Sequence, residues 1–238
     1  MTLNAALSSA PASLRGDLAE QGYARLASRQ TWALLDVKAQ AWEDFARSWD
    51  DLGPDLYMAD GGRYRRRRHA VFHCEDGVFT RKPHQPHFQS RDYNPLNGDV
   101  QRWFDPVADA TVGNPVTQAV FALCAGTFGS AASWHVEMHQ FRIETGADET
   151  GKPTPEGLHR DGVDWVFVML AERRNVREGV TRIGTPDGTA LGEFTLNDPG
   201  DAVLIDDHRI LHGVTEIHAV DPERPAWRDA LVVTFAAE

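Results

Sequence analysis

His159 and Asp161 stand two positions apart in the segment LHRDGVDWVFVML, just ahead of an apolar run with the composition of a buried strand. At a strand edge, positions i and i+2 point to the same side, so this imidazole and this carboxylate can reach one metal ion. His212, in VLIDDHRILHGVTEI, opens a later strand and completes the pattern H-x-D-x50-H. Two neutral imidazoles and one carboxylate on one side of a first-row metal make a facial triad. That arrangement suits Fe(II) and leaves positions open for a chelating cosubstrate and O2. Zinc or manganese, working without oxidation, remains an alternative, because the divalent affinity order does not select iron by ligand type alone.

A chelated 2-oxo acid such as 2-oxoglutarate carries a distal carboxylate, and burying that charge without a partner is costly. Arg228, in WRDALVVTF, opens the last strand sixteen residues after His212 and offers a guanidinium for a bidentate pair. Arg224, twelve residues after His212, is the other candidate, but it sits in the turn-like DPERP. The competing reading of Arg228 is an ordinary ion pair with Asp229 or Glu216.

These residues need a scaffold that brings distant strands together. Short strands are expected near 133–144, 163–170, 180–184, 191–196, 201–205, 212–217 and 228–236, separated by Gly, Pro, Asn and Asp. Upstream, 13–21 reads as a helix ended by Gly22, and 23–26 as a strand. Residues 31–49 read as one long amphipathic helix whose Trp32, Trp42 and Trp49 pack in a core, with Thr31 or Gln30 near its cap. RYRRRRHAVFHCE reads as a strand, 81–98 (with Pro95 and Asn97) as a loop, and 115–128 as a second helix. The expected fold is α+β, mainly β. It is a double-stranded β-helix, or jelly roll, buttressed by N-terminal helices, in one domain over 1–238 with a mixed part at 1–130 and a β-rich core at 131–238.

Taken together, HRDGVDWVFVML, IDDHRILHGVTEI and WRDALVVTF resemble the bacterial 2-oxoglutarate/Fe(II) dioxygenase family that contains the L-isoleucine hydroxylases. The resemblance covers roughly 130–236 and, more faintly, the N-terminal half. It implies that His159, Asp161 and His212 ligate iron, that Arg228 anchors 2-oxoglutarate, and that the substrate is a small molecule, an amino acid hydroxylated on carbon or oxidised on sulfur. A homologue linked with biofilm and stress responses belongs to the same resemblance. The runner-up is a non-catalytic jelly-roll protein that binds a small carboxylate. Hydroxylation of a protein would need an open groove.

Other polar residues could also face the site. In HVEMHQFRI, strand alternation puts His135, Glu137, His139 and Phe141 on one face and Gln140 and Arg142 on the other. The segment resembles the family's His-Gln-x-Arg strand, and either His139 or Arg142 near the cosubstrate or a rival metal site fits it. Within Arg65–Arg68, an inward Arg66 or Arg68 would suit a substrate carboxylate, whereas His84 and His87 read as solvated loop residues. Trp165 and the run from Val166 to Leu170 read as a dry wall or as plain core.

Composition narrows the function classes. Lys and Arg number 24 against 35 Asp and Glu, a net charge of −11 that disfavours nucleic acid and anionic membrane surfaces. Cys74 and Cys124 form no C-x-x-C pattern and read as reduced, buried thiols. Neither a leader peptide nor a run of about 18 apolar residues is legible, which predicts a cytoplasmic protein without a membrane span.

Overall fold

The first turns of the chain follow from its local chemistry in the computed structural model, which describes residues 1–4, 11–94, 96, 98–129, 131 and 133–238. Pro95 and Asn97 of the expected 81–98 loop lie outside the described residues. After strand β1 (Thr2–Asn4), helix α1 (Ala12–Gln21) closes on Gly22 at φ 80°, a left-handed cap, and β2 (Tyr23–Leu26) follows at once.

The stretch expected as one helix over 31–49 is two: α2 (Ser28–Leu35) and α3 (Ala39–Arg47). Asp36, in the left-handed region at φ 45°, ends α2 by sending its backbone N–H to the Trp32 carbonyl. Aspartate tolerates this conformation better than most residues. The apolar period survives the break because both helices pack on one core, with the Trp32 and Trp42 rings 4.6 Å apart. Ala27, just before α2, caps it, and its N–H is taken by the Gln30 side chain at 2.9 Å.

Next come β3 (Arg65–Glu75), β4 (Val78–Arg81), β5 (Asp105–Pro106), α4 (Asp109–Val112) and α5 (Pro115–Thr127). The remainder is β: β6 (Trp134–Thr145), β7 (Trp165–Arg174), β8 (Val176–Glu178), β9 (Val180–Gly184), β10 (Ala190–Thr195), β11 (Ala202–Asp206), β12 (Leu211–Val214), β13 (Ile217–Ala219) and β14 (Ala226–Ala237). The strand expected over 212–217 divides into β12 and β13.

Among the described residues the large sheet runs β1-β4-β3-β6-β14-β7-β11-β2, with β5 on β3, and faces a smaller sheet β10-β9-β12 and the pair β13-β8. This is the jelly roll expected, and its large sheet takes five strands, β1 to β5, from the first 130 residues. One face of that sheet carries Phe72, Met138, Phe167, Leu231, Val233 and Phe235 into a core with Leu14, Trp42, Phe45, Trp49, Val120 and Phe121 from the helices. Strand alternation turns the opposite residues inward: Arg65 and Arg67 on β3, Glu137 and His139 on β6, Val168 on β7, and Arg228 and Val232 on β14 all line one cavity. A second apolar cluster, with Val166, Leu170, Ile183, Val203, Ile205 and Ile210, closes the sandwich beside it. Both cysteines are free and buried. No helix among the described residues is long and apolar enough to cross a membrane.

Candidate active site

The cavity encloses about 410 Å³ between the two sheets, within the range of small-molecule sites. His159 and His212 meet there as a reciprocal backbone bridge, with N–H to carbonyl distances of 3.0 and 2.9 Å, and their rings are 4.7 Å apart. Gly213, next to this bridge, allows close approach: a Cβ there would lie 2.6 Å from the Gly157 carbonyl oxygen. Asp161 completes the group, its carboxylate oxygens 3.7 Å from His159 Nε2 and 3.6 Å from His212 Nε2. The three ligand-type atoms lie within 4.8 Å of one another.

The side-chain hydrogen bonds suit a cation at this point. His159 Nδ1 donates to the Gly157 carbonyl at 3.0 Å, which leaves Nε2 as the ring atom that would face a cation once its proton is displaced. His212 Nδ1 has no partner among the described residues. Against the cost of burial, the hydrogen bond to Asp161 and the nearby acids lift His159 to about 9. The same contact with His159, aided by the charge of His212, holds Asp161 below the usual carboxylate range. Burial, more than the charge of His159, drops His212 to about 4. Strong mutual perturbation in a cleft marks groups arranged for binding or catalysis.

Asp207, which the sequence reading passed over, fixes the loop that carries Asp161. Its buried carboxylate accepts the backbone N–H groups of Asp161, Gly162 and Val163 at 2.9, 2.8 and 3.1 Å. Burial, with Asp161 nearby, raises its pKa to about 6 in spite of those donors. Its signal was the second aspartate of VLIDDH, an acid on an otherwise apolar approach to His212.

Arg228 is 3% exposed and faces the cavity, and its Nε and Nη2 have no partner among the described residues. Burial pulls its pKa down to about 10. Among the described residues Arg228 forms neither rival ion pair, with Asp229 or with Glu216, and Asp229 is engaged by Arg142 at 2.8 and 2.7 Å. Arg224 has a 78% exposed side chain and pairs with Asp221.

Strand phase corrects the arginine run. Ala70, Phe72 and Cys74 face the helices, so the odd-numbered side chains turn inward: Arg65 and Arg67 line the cavity. Arg66 instead pairs with Glu144 at 2.8 Å and Arg68 with Asp51 at 2.8 Å. His87 is not a solvated loop residue either, because the His87–Arg102 backbone bridge folds it inward and its ring reaches Glu137 at 2.5 Å. His84 is exposed, beside Trp103. Of the expected dry wall only Val168 faces the cavity, joined by Val163, Val214 and Val232; Trp165 stacks on Phe128 in the helix-side core.

On β6, His135, Glu137, His139 and Phe141 share the cavity face, whereas Gln140 reaches Ser48 and Arg142 reaches Asp229. His69, His87, Glu137 and His139 form a second group with metal-ligand chemistry. Its hydrogen bonds read otherwise. Arg67 Nη2 can only donate, so His139 Nδ1 accepts at 3.0 Å and carries its proton on Nε2, 3.2 Å from Glu137. His69 Nε2 lies 3.1 Å from the same carboxylate oxygen. The group is an ionised carboxylate ringed by neutral imidazoles. Burial keeps His69, His87 and His139 below the usual histidine value, and these contacts keep Glu137 low against its own burial.

Known proteins resemble this chain along most of its length. The model of the 2OG-Fe dioxygenase family matches residues 46–234. A 3(1)-hydroxy-L-isoleucine 4-dioxygenase of Pantoea ananatis is 26% identical over 235 residues, covering 92% of this chain and 93% of that one. An L-isoleucine-4-hydroxylase of Bacillus thuringiensis is 26% identical over 157 residues, 63% of this chain and 65% of its own. The crystal structure of a bsmA homolog from Methylobium petroleophilum superposes with a TM-score of 0.88 at 34% identity, covering 99% of this chain and 96% of that one. The chain therefore belongs to the 2OG-Fe dioxygenase family, enzymes that use Fe(II), 2-oxoglutarate and O2, and among which the isoleucine hydroxylases are found.

Proposed function

We propose that this dioxygenase oxidises a small, free amino acid, by hydroxylation of carbon or oxidation of sulfur, with His159, Asp161 and His212 holding Fe(II) and Arg228 holding 2-oxoglutarate. The observation that carries the reading is the meeting, in one cavity, of two imidazoles and a carboxylate with a buried guanidinium that lacks a partner among the described residues. The donor set fits a hard-to-borderline divalent ion and matches the three-ligand pattern of non-haem iron oxygenases. Bound there, Fe(II) supplies the O2 chemistry that couples oxidative decarboxylation of 2-oxoglutarate to succinate with oxidation of the substrate.

The chain's own residues bind, orient and shield. Gly157 fixes the tautomer and orientation of His159, and Asp207 fixes the backbone on which Asp161 rides. Arg228 neutralises the distal carboxylate of 2-oxoglutarate, which sets the direction in which the cosubstrate enters. Val163, Val168, Val214 and Val232 keep water from the reacting carbon. A cavity of about 410 Å³ suits an amino acid beside 2-oxoglutarate better than a polypeptide. The two curated relatives are named for reactions of isoleucine and a hydroxyisoleucine, which supports an aliphatic amino acid.

The test is anaerobic reconstitution with Fe(II) and 2-oxoglutarate, followed by air and a panel of amino acids. A weak visible charge-transfer band and succinate release stimulated by one or a few amino acids are expected. A bound metal without the band, or succinate release indifferent to every amino acid, overturns the reading.

A further inference from the structure

Two more guanidiniums face the cavity without a carboxylate partner among the described residues. Arg102, 2% exposed, contacts Gln89 Oε1 at 3.4 Å through Nη2, and its Nε has no partner among the described residues. Arg67, 5% exposed, is held between the rings of Phe104 and Phe141, 4.1 and 4.4 Å from their centroids, and its Nε is likewise unpartnered. Arg65 differs, for Asp55 neutralises it at 2.6 Å. A π-sandwiched guanidinium is rigid, so little entropy is lost when it takes a ligand. Buried like charges left uncompensated are costly, and an anion placed between them removes that cost.

The opposite charge stands close by. Glu137 Oε2 and Arg67 Nη2 lie at the two ring nitrogens of His139, 3.2 and 3.0 Å away. One imidazole and two hydrogen bonds separate cation from anion. That span is comparable to the α-carboxylate and α-ammonium of an amino acid with one hydrogen bond at each end. The imidazoles of His69, His87 and His135 brace Glu137 and leave it on the cavity wall.

We propose that Arg67 and Arg102 bind the α-carboxylate of the substrate and Glu137 its α-ammonium, so that the enzyme selects a free zwitterionic amino acid over an amide, an ester or a residue within a peptide. This rests on the functional reading above and adds where the substrate's head group sits. Four arginines thus divide their work: Arg65 is structural, Arg228 serves the cosubstrate, and Arg67 and Arg102 serve the substrate.

The experiment uses the anaerobic Fe(II) and 2-oxoglutarate holoenzyme and measures binding by thermal shift and titration calorimetry. The probes are the twenty common L-amino acids, then the carboxamide and the des-amino acid of whichever binds best. At least one free amino acid binds, and its carboxamide and des-amino analogue each bind about 100-fold more weakly, the loss expected when one charged contact in a buried site is removed. Arg102→Met abolishes the preference for acid over carboxamide, yet its ligand-free form melts no lower than wild type because an unpaired buried charge has gone. Arg67→Met gives the same comparison from the other guanidinium, and Glu137→Gln loses only the preference for the amino over the des-amino acid. Binding by none of the twenty, equal binding of acid and carboxamide, or an unchanged preference in both arginine variants overturns the proposal. Absence of the 2-oxoglutarate band in wild type is a separate failure, that of the metal and cosubstrate reading.

Discussion

Replacing Arg228 by methionine separates what this residue costs the fold from what it gives the site. Burial, with Arg173 adding a like charge, draws the guanidinium from 12.5 to about 10. At about 1.4 kcal/mol per pH unit, the ligand-free protein carries ~3 kcal/mol to keep that charge in the cavity wall. The folded-state value lies below the unfolded one, so the cost is present at every pH below about 10, neutral pH included. Arg228→Met keeps an unbranched apolar stem, removes the charge, and should raise the melting temperature of the ligand-free protein by about 6 °C in a chain of this size. It should also weaken 2-oxoglutarate binding on the order of 100-fold, since a charge-assisted bidentate contact is lost. Differential scanning fluorimetry with and without 2-oxoglutarate reads both effects, and Arg224→Met, at an exposed residue paired with Asp221, should change neither. A variant that melts lower than wild type and still binds 2-oxoglutarate normally would refute the reasoning.

Asp207→Ala strands three backbone N–H groups around the Asp161 loop; Fe(II) affinity by competition with a chelator should fall about 10- to 100-fold, as for other residues that orient metal ligands. Gly213→Ala would put a Cβ 2.6 Å from the Gly157 carbonyl oxygen and push apart the strands that pair His159 with His212, so metal content by elemental analysis should drop well below one per chain. His87 sits near 4 in the folded protein, chiefly through burial. The unfolded chain binds its proton at about pH 6.5. Stability contributed by the neutral ring is therefore complete above pH 6.5 and lost as pH falls toward 4. The urea midpoint at pH 5 should lie below that at pH 7, and His87→Gln should narrow the difference without removing it, because burial also holds His69, His139 and His212 low; equal midpoints in wild type would contradict the account.

Much of this was legible in the chain because its strands alternate cleanly. The H-x-D pair, His212 and Arg228 were found by spacing, and the structure places all four on one cavity. Gly22 announced the end of the first helix, apolar composition gave the helix expected over 115–128, and an apolar period marked residues 31–49 as helical. The same period hid the break at Asp36, since both helices present their tryptophans to one core and a hydrophobic stripe does not register a left-handed residue between them. The inward arginines were missed by one position. The apolar phase of Ala70, Phe72 and Cys74 assigns the odd-numbered side chains to the other face, but a run of four arginines has no phase of its own. Arg102 and His87 come from a segment without periodicity, and only the backbone bridge between them brings both to the cavity.

The central claim is tested most directly by turnover under ¹⁸O2 with the amino acid that best stimulates succinate release. One labelled oxygen atom in succinate and one in the oxidised amino acid, both lost in Asp161→Ala, is the predicted result. Label in succinate alone for every amino acid tried, or undiminished labelling in Asp161→Ala, would contradict the account.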